Sequence, residues 1–155
     1  MNDTIHPIVE FDCDMIGKES IYFSVPGEPF AKQRPRAARK GRYITIYTPR
    51  PTKEYEKKVI QNYRKRYKDQ EKLDGNLYVK IHAVFSIPKS TTKKERKILE
   101  TGVPHTKKPD VDNIGKVCLD GMNGVVYEDD GSVYKLLIEK SYGSEARVDI
   151  TVIKD

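Results

Sequence analysis

Five acidic residues and one lysine in this chain are spaced so that they could surround a hard metal ion and a phosphate. The run Lys108-Pro109-Asp110-Val111-Asp112-Asn113-Ile114-Gly115-Lys116 is answered by Glu128-Asp129-Asp130. Ionised carboxylates within about 4–6 Å of one another repel and raise at least one pKa, so gathering them is costly unless a cation lies among them. Mg²⁺ relieves that repulsion, takes oxygen ligands and keeps waters while it bridges to a substrate phosphate. It can acidify and orient a water for in-line attack and neutralise the charge that builds on phosphoryl oxygens. The chemistry this suggests is phosphodiester hydrolysis.

The elements around these residues must position them. A helix predicted over 112–122 puts Asp112, Lys116 and Asp120 at i, i+4 and i+8 on one side. Ile114, Val117, Cys118 and Met122 then form the face a sheet would bury, with Leu119 awkwardly near the polar side. Asp112 at the helix start is expected to accept backbone N–H groups and to be held ionised by the macrodipole. Pro109 restricts Lys108 to extended geometry, so Asp110 approaches from a loop. Asp129 and Asp130 open a predicted strand, and either completes the cluster if that strand neighbours the helix. Lys116, one turn beyond Asp112, could reach the same phosphate or the leaving oxygen.

Two plainer readings compete. Asp112, Lys116 and Asp120 could form a surface ion-pair ladder worth about 0.2–0.5 kcal/mol per pair. Asp110-x-Asp112-x-x-Gly115 also begins like a calcium loop. That reading fails, because Ile114 takes a ligand position and Gly121 stands where a bidentate glutamate is needed.

At 155 residues the chain suits one folded domain that needs no disulfides. A net charge of +6 favours a polyanionic partner. The distribution says more: Lys32, Arg34, Arg36, Arg39, Lys40 and Arg42 fall within residues 31–42 with no acid among them. The first nineteen residues carry Asp3, Glu10, Asp12, Asp14 and Glu19 against Lys18 alone, so 1–19 reads as an acidic extension and 20–155 as the domain proper. Cys13 and Cys118 make neither a disulfide framework nor a zinc site. No run has membrane-spanning length and no signal peptide opens the chain, so the cytoplasm is the expected compartment.

Residues 21–25 read as a strand closed by Pro26-Gly27-Glu28-Pro29, and 43–47 as another β-rich run. A helix is expected over roughly 52–68 with Thr52 as its N-cap, and Tyr55, Val59, Tyr63 and Tyr67 line one face. A long strand follows over 77–87, with Val79, Ile81, Ala83 and Phe85 on one side. Thr91 or Thr92 caps a short helix ending near Gly102, and strands over about 132–142 and 146–153 finish the chain. The expected class is α/β (α+β): a small mixed sheet packed with two to three helices.

From Lys108 to Gly124, and on through Val126-Tyr127-Glu128-Asp129-Asp130, the sequence resembles the RusA-type Holliday-junction resolvases. The shared pattern is Asp-x-Asp-Asn, a lysine, a helical Asp, an Asn-Gly turn, and Asp-Asp before a strand. Pro26-Gly27-Glu28-Pro29 followed by Lys32-x-Arg34-Pro35-Arg36 is similar to the branch found in Gram-positive bacteria and their phages. The resemblance covers about residue 20 to the end. It implies a Mg²⁺-dependent homodimer, with Mn²⁺ as a substitute, that cuts four-way DNA junctions by paired symmetric nicks. By position, Asp110, Asp112 and Asp130 would bind metal and Lys116 would be the essential lysine, with Asp120 and Asp129 in a second tier. Ser132 departs from a position where the family often has Gln.

For DNA contact, the basic segment 32–42 reads as an arm or hairpin near the sheet edge, and six neutralised phosphates would give a log–log salt slope of roughly −5. Lys107 and Lys108 could draw the backbone toward the carboxylates, whereas Lys89, Lys93 and Lys94 read as an ordinary charged helix start. Tyr43 and Tyr47 could stack on exposed bases, but half-buried strand tyrosines are the simpler expectation. His82 reads as a surface-facing strand residue, His105 as a loop histidine, and Cys118 as core.

The resulting expectation is a dimeric Mg²⁺-dependent endodeoxyribonuclease. It would resolve branched DNA by metal-activated water without a covalent intermediate, with two sites matching the near two-fold junction. A broader flap or fork nuclease and a non-catalytic junction-binding protein are the rivals.

Overall fold

The computed structural model describes residues 18–155, so the acidic segment 1–19 lies outside it except for Lys18 and Glu19. The order is β1 (Ser20–Pro26), β2 (Arg36–Lys40), β3 (Tyr43–Tyr47), α1 (Arg50–Arg66), β4 (Leu77–Ser86), α2 (Lys93–Leu99), α3 (Val111–Met122), β5 (Val133–Gly143) and β6 (Arg147–Lys154). The α+β class and mixed sheet expected from the sequence are what the chain adopts.

β1, β6, β4 and β5 form one sheet in that spatial order. β4 pairs antiparallel with β6 and parallel with β5, which leaves β5 at an edge. The alternation read from the sequence buries Val79, Ile81, Ala83 and Phe85 of β4 opposite Val148, Ile150 and Val152 of β6. Ile21, Phe23 and Val25 of β1 extend this face, and α1 and α3 belong to the same core. On α1 the four-residue spacing buries Tyr55, Val59 and Tyr63, and Tyr67 packs against them partly exposed. Leu119, awkward in a flat helical scheme, is partly buried against the same core.

Local corrections concern helix starts. α1 begins at Arg50 behind Pro49, two residues earlier than expected, because prolines at the first helical positions need no N–H partner. Thr52 is therefore not the N-cap. It is buried, and its Oγ1 accepts the Gln33 N–H at 3.2 Å. α2 does start on the expected cap, with Thr92 and Glu95 forming a reciprocal capping box.

The basic segment is a hairpin, β2 paired with β3, separate from the main sheet. Gly41 turns it with φ 65°, a conformation that favours glycine. Every residue from Arg34 to Tyr47 is exposed. Tyr43 and Tyr47, expected half-buried, are 79% and 42% exposed because, among the described residues, this hairpin has no second layer to pack on.

α3 lies along β5, and two contacts fix its direction. Gly115 sits so close to the strand that an added Cβ would lie 2.4 Å from Ile138 Cδ1. Lys140, further along β5, donates to the carbonyls of Lys107 (2.6 Å) and Pro109 (2.8 Å), just before α3 begins. The helix therefore runs antiparallel to β5.

At the crossing of α3 with α1, a Cβ on Gly121 would meet the Glu56 carbonyl and Val59 Cβ, each at 3.2 Å. The carbonyl belongs to a helix backbone and cannot swing away. Gly121→Val is expected to lower stability by about 1–3 kcal/mol, read as a reduced urea midpoint at unchanged m-value.

Candidate active site

α3 begins at Val111, one position earlier than the sequence reading placed it, with Asp110 as its N-cap residue, whose side chain makes no capping bond. That side chain instead faces Lys108, whose Nζ lies 3.3 Å from its carboxylate. Asp112 falls in the first helical turn, where the macrodipole favours its negative charge. Both aspartates are exposed, as are Lys107, Lys108 and Lys116. The Lys108–Pro109 peptide is cis.

The other acidic residues collect at the opposite end of the helix. Asp120 is partly buried and ion-paired with Lys32, whose backbone N–H donates to Asn113 O at 2.9 Å. Lys32, expected among free DNA contacts, is thus tied to α3. Asp130 N–H donates to Asn123 Oδ1 at 2.9 Å, beside the C-terminal end of α3. Its carboxyl is held above the ordinary aspartate range by desolvation, then by the charge of Asp129, a hydrogen bond with Asp129 and the charge of Asp120. Desolvation and the Asp120 charge also raise Glu56, against the pull of Lys32 and Lys53.

These positions correct one expectation about convergence. The strand after Asp130 does neighbour α3, but antiparallel. Asp112 and Asp120 are eight residues apart, about 12 Å along a helix, and Asp130 adjoins the far end. One chain therefore presents two separate acidic groups, Asp110–Asp112 and Asp120–Asp129–Asp130. Among the described residues, no three His, Cys, Asp or Glu side chains are grouped so as to hold a metal ion. The donors suit a hard cation in kind, being carboxylate oxygens only. Asp110 and Asp112 alone fall short in number, and at the other end Asp120 is already paired with Lys32.

The remaining expected residues take simple places. Arg34, Arg36, Arg39, Lys40 and Arg42 are exposed on the hairpin or its approach. Ser132 Oγ donates to Asp129 O at 2.8 Å and helps close the 3₁₀ turn Asp130–Ser132. Cys118 is wholly buried and its thiol is pushed up to about 12, so it serves the core. His105 is in a loop but buried, stacked 3.9 Å from Phe85, and desolvation lowers its pKa. His82 is partly buried on the sheet, with Nε2 2.7 Å from Ser141 Oγ.

Sequence reasoning missed three residues. Asn123 anchors Asp130, and its place in an Asn-Gly turn was the available signal. Lys140 holds the loop that delivers Asp110, and Glu56 shares the field of Asp120. Neither carries a sequence signal, because each acts across elements.

The raised Asp130 pKa has a definite sign. The folded state holds that proton more tightly than the unfolded one, so this group's contribution is fully present below the unfolded aspartate pKa and fades as pH rises through the folded value. Asp129→Asn removes the principal charge acting on it. The variant is expected to melt higher than the parent at pH 7 and equally at about pH 3, while the Asp130 titration seen by carboxyl NMR moves down.

Two comparisons with known proteins place the chain among relatives. The family model described as Endodeoxyribonuclease RusA matches residues 26–153. An uncharacterized protein of Bacillus subtilis (strain 168), YqaN, is 31% identical over 137 residues, which is 86% of this chain and 96% of YqaN.

Proposed function

The chain belongs to the RusA family of endodeoxyribonucleases, which resolve Holliday junctions, and from that membership we propose a homodimer that nicks four-way DNA junctions at paired symmetric positions using Mg²⁺, or Mn²⁺ in its place. Asp110, Asp112 and Asp130 are the proposed metal ligands and Lys116 the lysine that contacts the phosphate. Asp120 and Asp129 stand behind them. A metal ion so held would supply an activated water and charge neutralisation at the phosphoryl oxygens. Lys107 and Lys108 offset the carboxylate charge that an approaching phosphate meets.

The observation that carries the dimer is the antiparallel run of α3 on β5, which parts Asp130 from Asp110 and Asp112 within one chain. A two-fold copy supplies the missing carboxylate if it pairs through β5. Residues 103–105 cover part of that edge, with His105 N–H donating to Lys140 O at 3.0 Å and Tyr142 N–H to Val103 O at 2.9 Å. Among the described residues nothing pairs with the outer edge of 133–139. The backbone groups of Lys140 and Tyr142 face outward, so by strand alternation those of Leu136 and Ile138 do too, up to the register shift beside Tyr134. A two-fold axis at Leu136 sets Leu136 against itself and Tyr134 against Ile138 of the partner subunit. This covers Tyr134, Leu136 and Leu137, which are 57%, 42% and 39% exposed. It also sends Asp130 of the partner subunit toward the end of β5 where Lys140 holds the loop before Asp110. A long apolar edge left open would otherwise invite aggregation.

The direct test is cleavage of a mobile four-way junction with and without Mg²⁺ beside a matched linear duplex. Paired symmetric cuts in the junction alone support a resolvase. Equal cutting of flaps and forks would favour the broader nuclease, and binding without cutting under any divalent metal would leave a binding protein. Asp112→Asn is expected to abolish cutting with junction binding intact. An unchanged rate in Asp110→Asn would remove it from the metal site.

Subunit mixing tests the shared site. Asp112→Asn and Asp130→Asn are each expected to be inactive alone, yet a 1:1 mixture regains about a quarter of the nicking activity. Half the dimers are then mixed, and each has one intact composite site. Sites complete within one chain would give no recovery.

Leu136→Asp places a charge on the proposed axis. Sedimentation should find this variant monomeric and inactive, with an unchanged circular-dichroism spectrum. A variant that sediments as a dimer would move the interface elsewhere.

A further inference from the structure

The β2–β3 hairpin has two faces of different chemistry. Directly opposed residues share a face, so the register sets Arg36, Ala38 and Lys40 with Tyr47, Thr45 and Tyr43 on one side. Ala37 and Arg39 lie with Ile46 and Ile44 on the other. Ile44 and Ile46 are 73% and 74% exposed and adjacent on one face of a ribbon that, among the described residues, no other element covers. Isolated hairpins are marginal in water, and isoleucines add nothing to solubility there. Such a face calls for an occupant.

The surrounding charge identifies its chemistry. Residues 29–53 contain no acid and carry Lys32, Arg34, Arg36, Arg39, Lys40, Arg42, Arg50 and Lys53. Two hairpins of this composition would repel each other, whereas a phosphate backbone would attract either. The root of the hairpin is fixed to the proposed catalytic helix: Lys32 is bonded to Asn113 O and paired with Asp120, and Gln33 is held by Thr52. Its five-residue strands reach about 17 Å beyond that root.

We infer that this hairpin is the element that recognises the branch point of DNA, seating Ile44 and Ile46 against base pairs left without a stacking neighbour. Arg36, Arg39, Lys40 and Arg42 hold the flanking phosphates. Intact duplex offers the apolar face nothing, because its bases are stacked. A branch exposes base-pair faces, and apolar side chains are the groups that wedge against unstacked steps. The cations then supply affinity for any DNA, while the isoleucines supply preference for branched DNA. The inference rests on the junction-binding reading above and adds the residues that discriminate.

The test uses the full chain in EDTA, with a four-way junction carrying 2-aminopurine at the branch and a linear duplex of the same arms. Wild type should raise 2-aminopurine fluorescence on binding and prefer the junction. Ile44→Ser/Ile46→Ser is expected to lose most of that rise and about tenfold in junction preference, with duplex affinity unchanged. Arg39→Gln/Arg42→Gln should weaken both DNAs alike and lower the salt slope by about 2. An isoleucine variant that keeps the full rise and preference overturns the inference. So does one that sediments as a smaller species than wild type, since the face then belongs to a second copy. A wild type with no junction preference would instead remove the functional reading beneath it.

Discussion

The close approach of α3 to β5 is the constraint on which the rest of this structure depends. Gly115 has no side chain to hold the helix away from Ile138 and Leu136, so the axis settles on the sheet at the strand's own edge. Ile114, Val117, Cys118 and Met122 are thereby wholly buried, and the opposite side of the helix carries Asp112 and Lys116 in solvent. The polarity of that packing decides the site. A helix antiparallel to its strand places its N-terminal aspartates at one end and the residues that precede the strand at the other. The acidic residues are close in sequence pattern and far apart in space for this one reason.

The separation also lowers the electrostatic cost of folding. Five carboxylates in one unliganded chain would raise one another's pKa values strongly. Here the charge of Asp120 helps raise both Asp130 and Glu56, and Lys32 offsets part of its effect on Glu56. Asp110 has Lys108 beside it. Splitting a metal site between two subunits would let each fold without metal and concentrate the carboxylates only on assembly.

Much of this was legible in the sequence, for identifiable reasons. α3 is strongly amphipathic, so its buried and polar faces follow from a 3.6-residue period alone. β1 and most of β6 alternate because one face packs on helices, whereas the central β4 is buried on both faces over much of its length. What the sequence could not convey is relative direction. Asp110, Asp112 and Asp130 look like one constellation when the strand is known only to neighbour the helix, and a parallel arrangement would have brought them together. Lys140 escaped notice because a lysine on an edge strand has no pattern, and its role exists only once the loop folds over it. Tyr43 and Tyr47 misled in the other direction, since β-propensity carries an assumption of a second layer that the hairpin lacks among the described residues.

The charges divide along the same architecture. Around α3, lysines and carboxylates alternate at short range, and the field a distant phosphate feels there is small. The hairpin carries cations alone and projects about 17 Å from its root, roughly two Debye lengths at physiological salt. Any attraction it exerts on a phosphate backbone would therefore be insulated from the state of the carboxylates, whether protonated, paired or bound to a cation. Capture and chemistry can then be governed by different residues, joined mechanically through Lys32 and Gln33. A phosphate backbone held by the hairpin would be delivered at a fixed offset from α3, and that offset, set by the hydrogen bonds of Lys32 and Gln33 at the root, would choose which phosphodiester meets the aspartates.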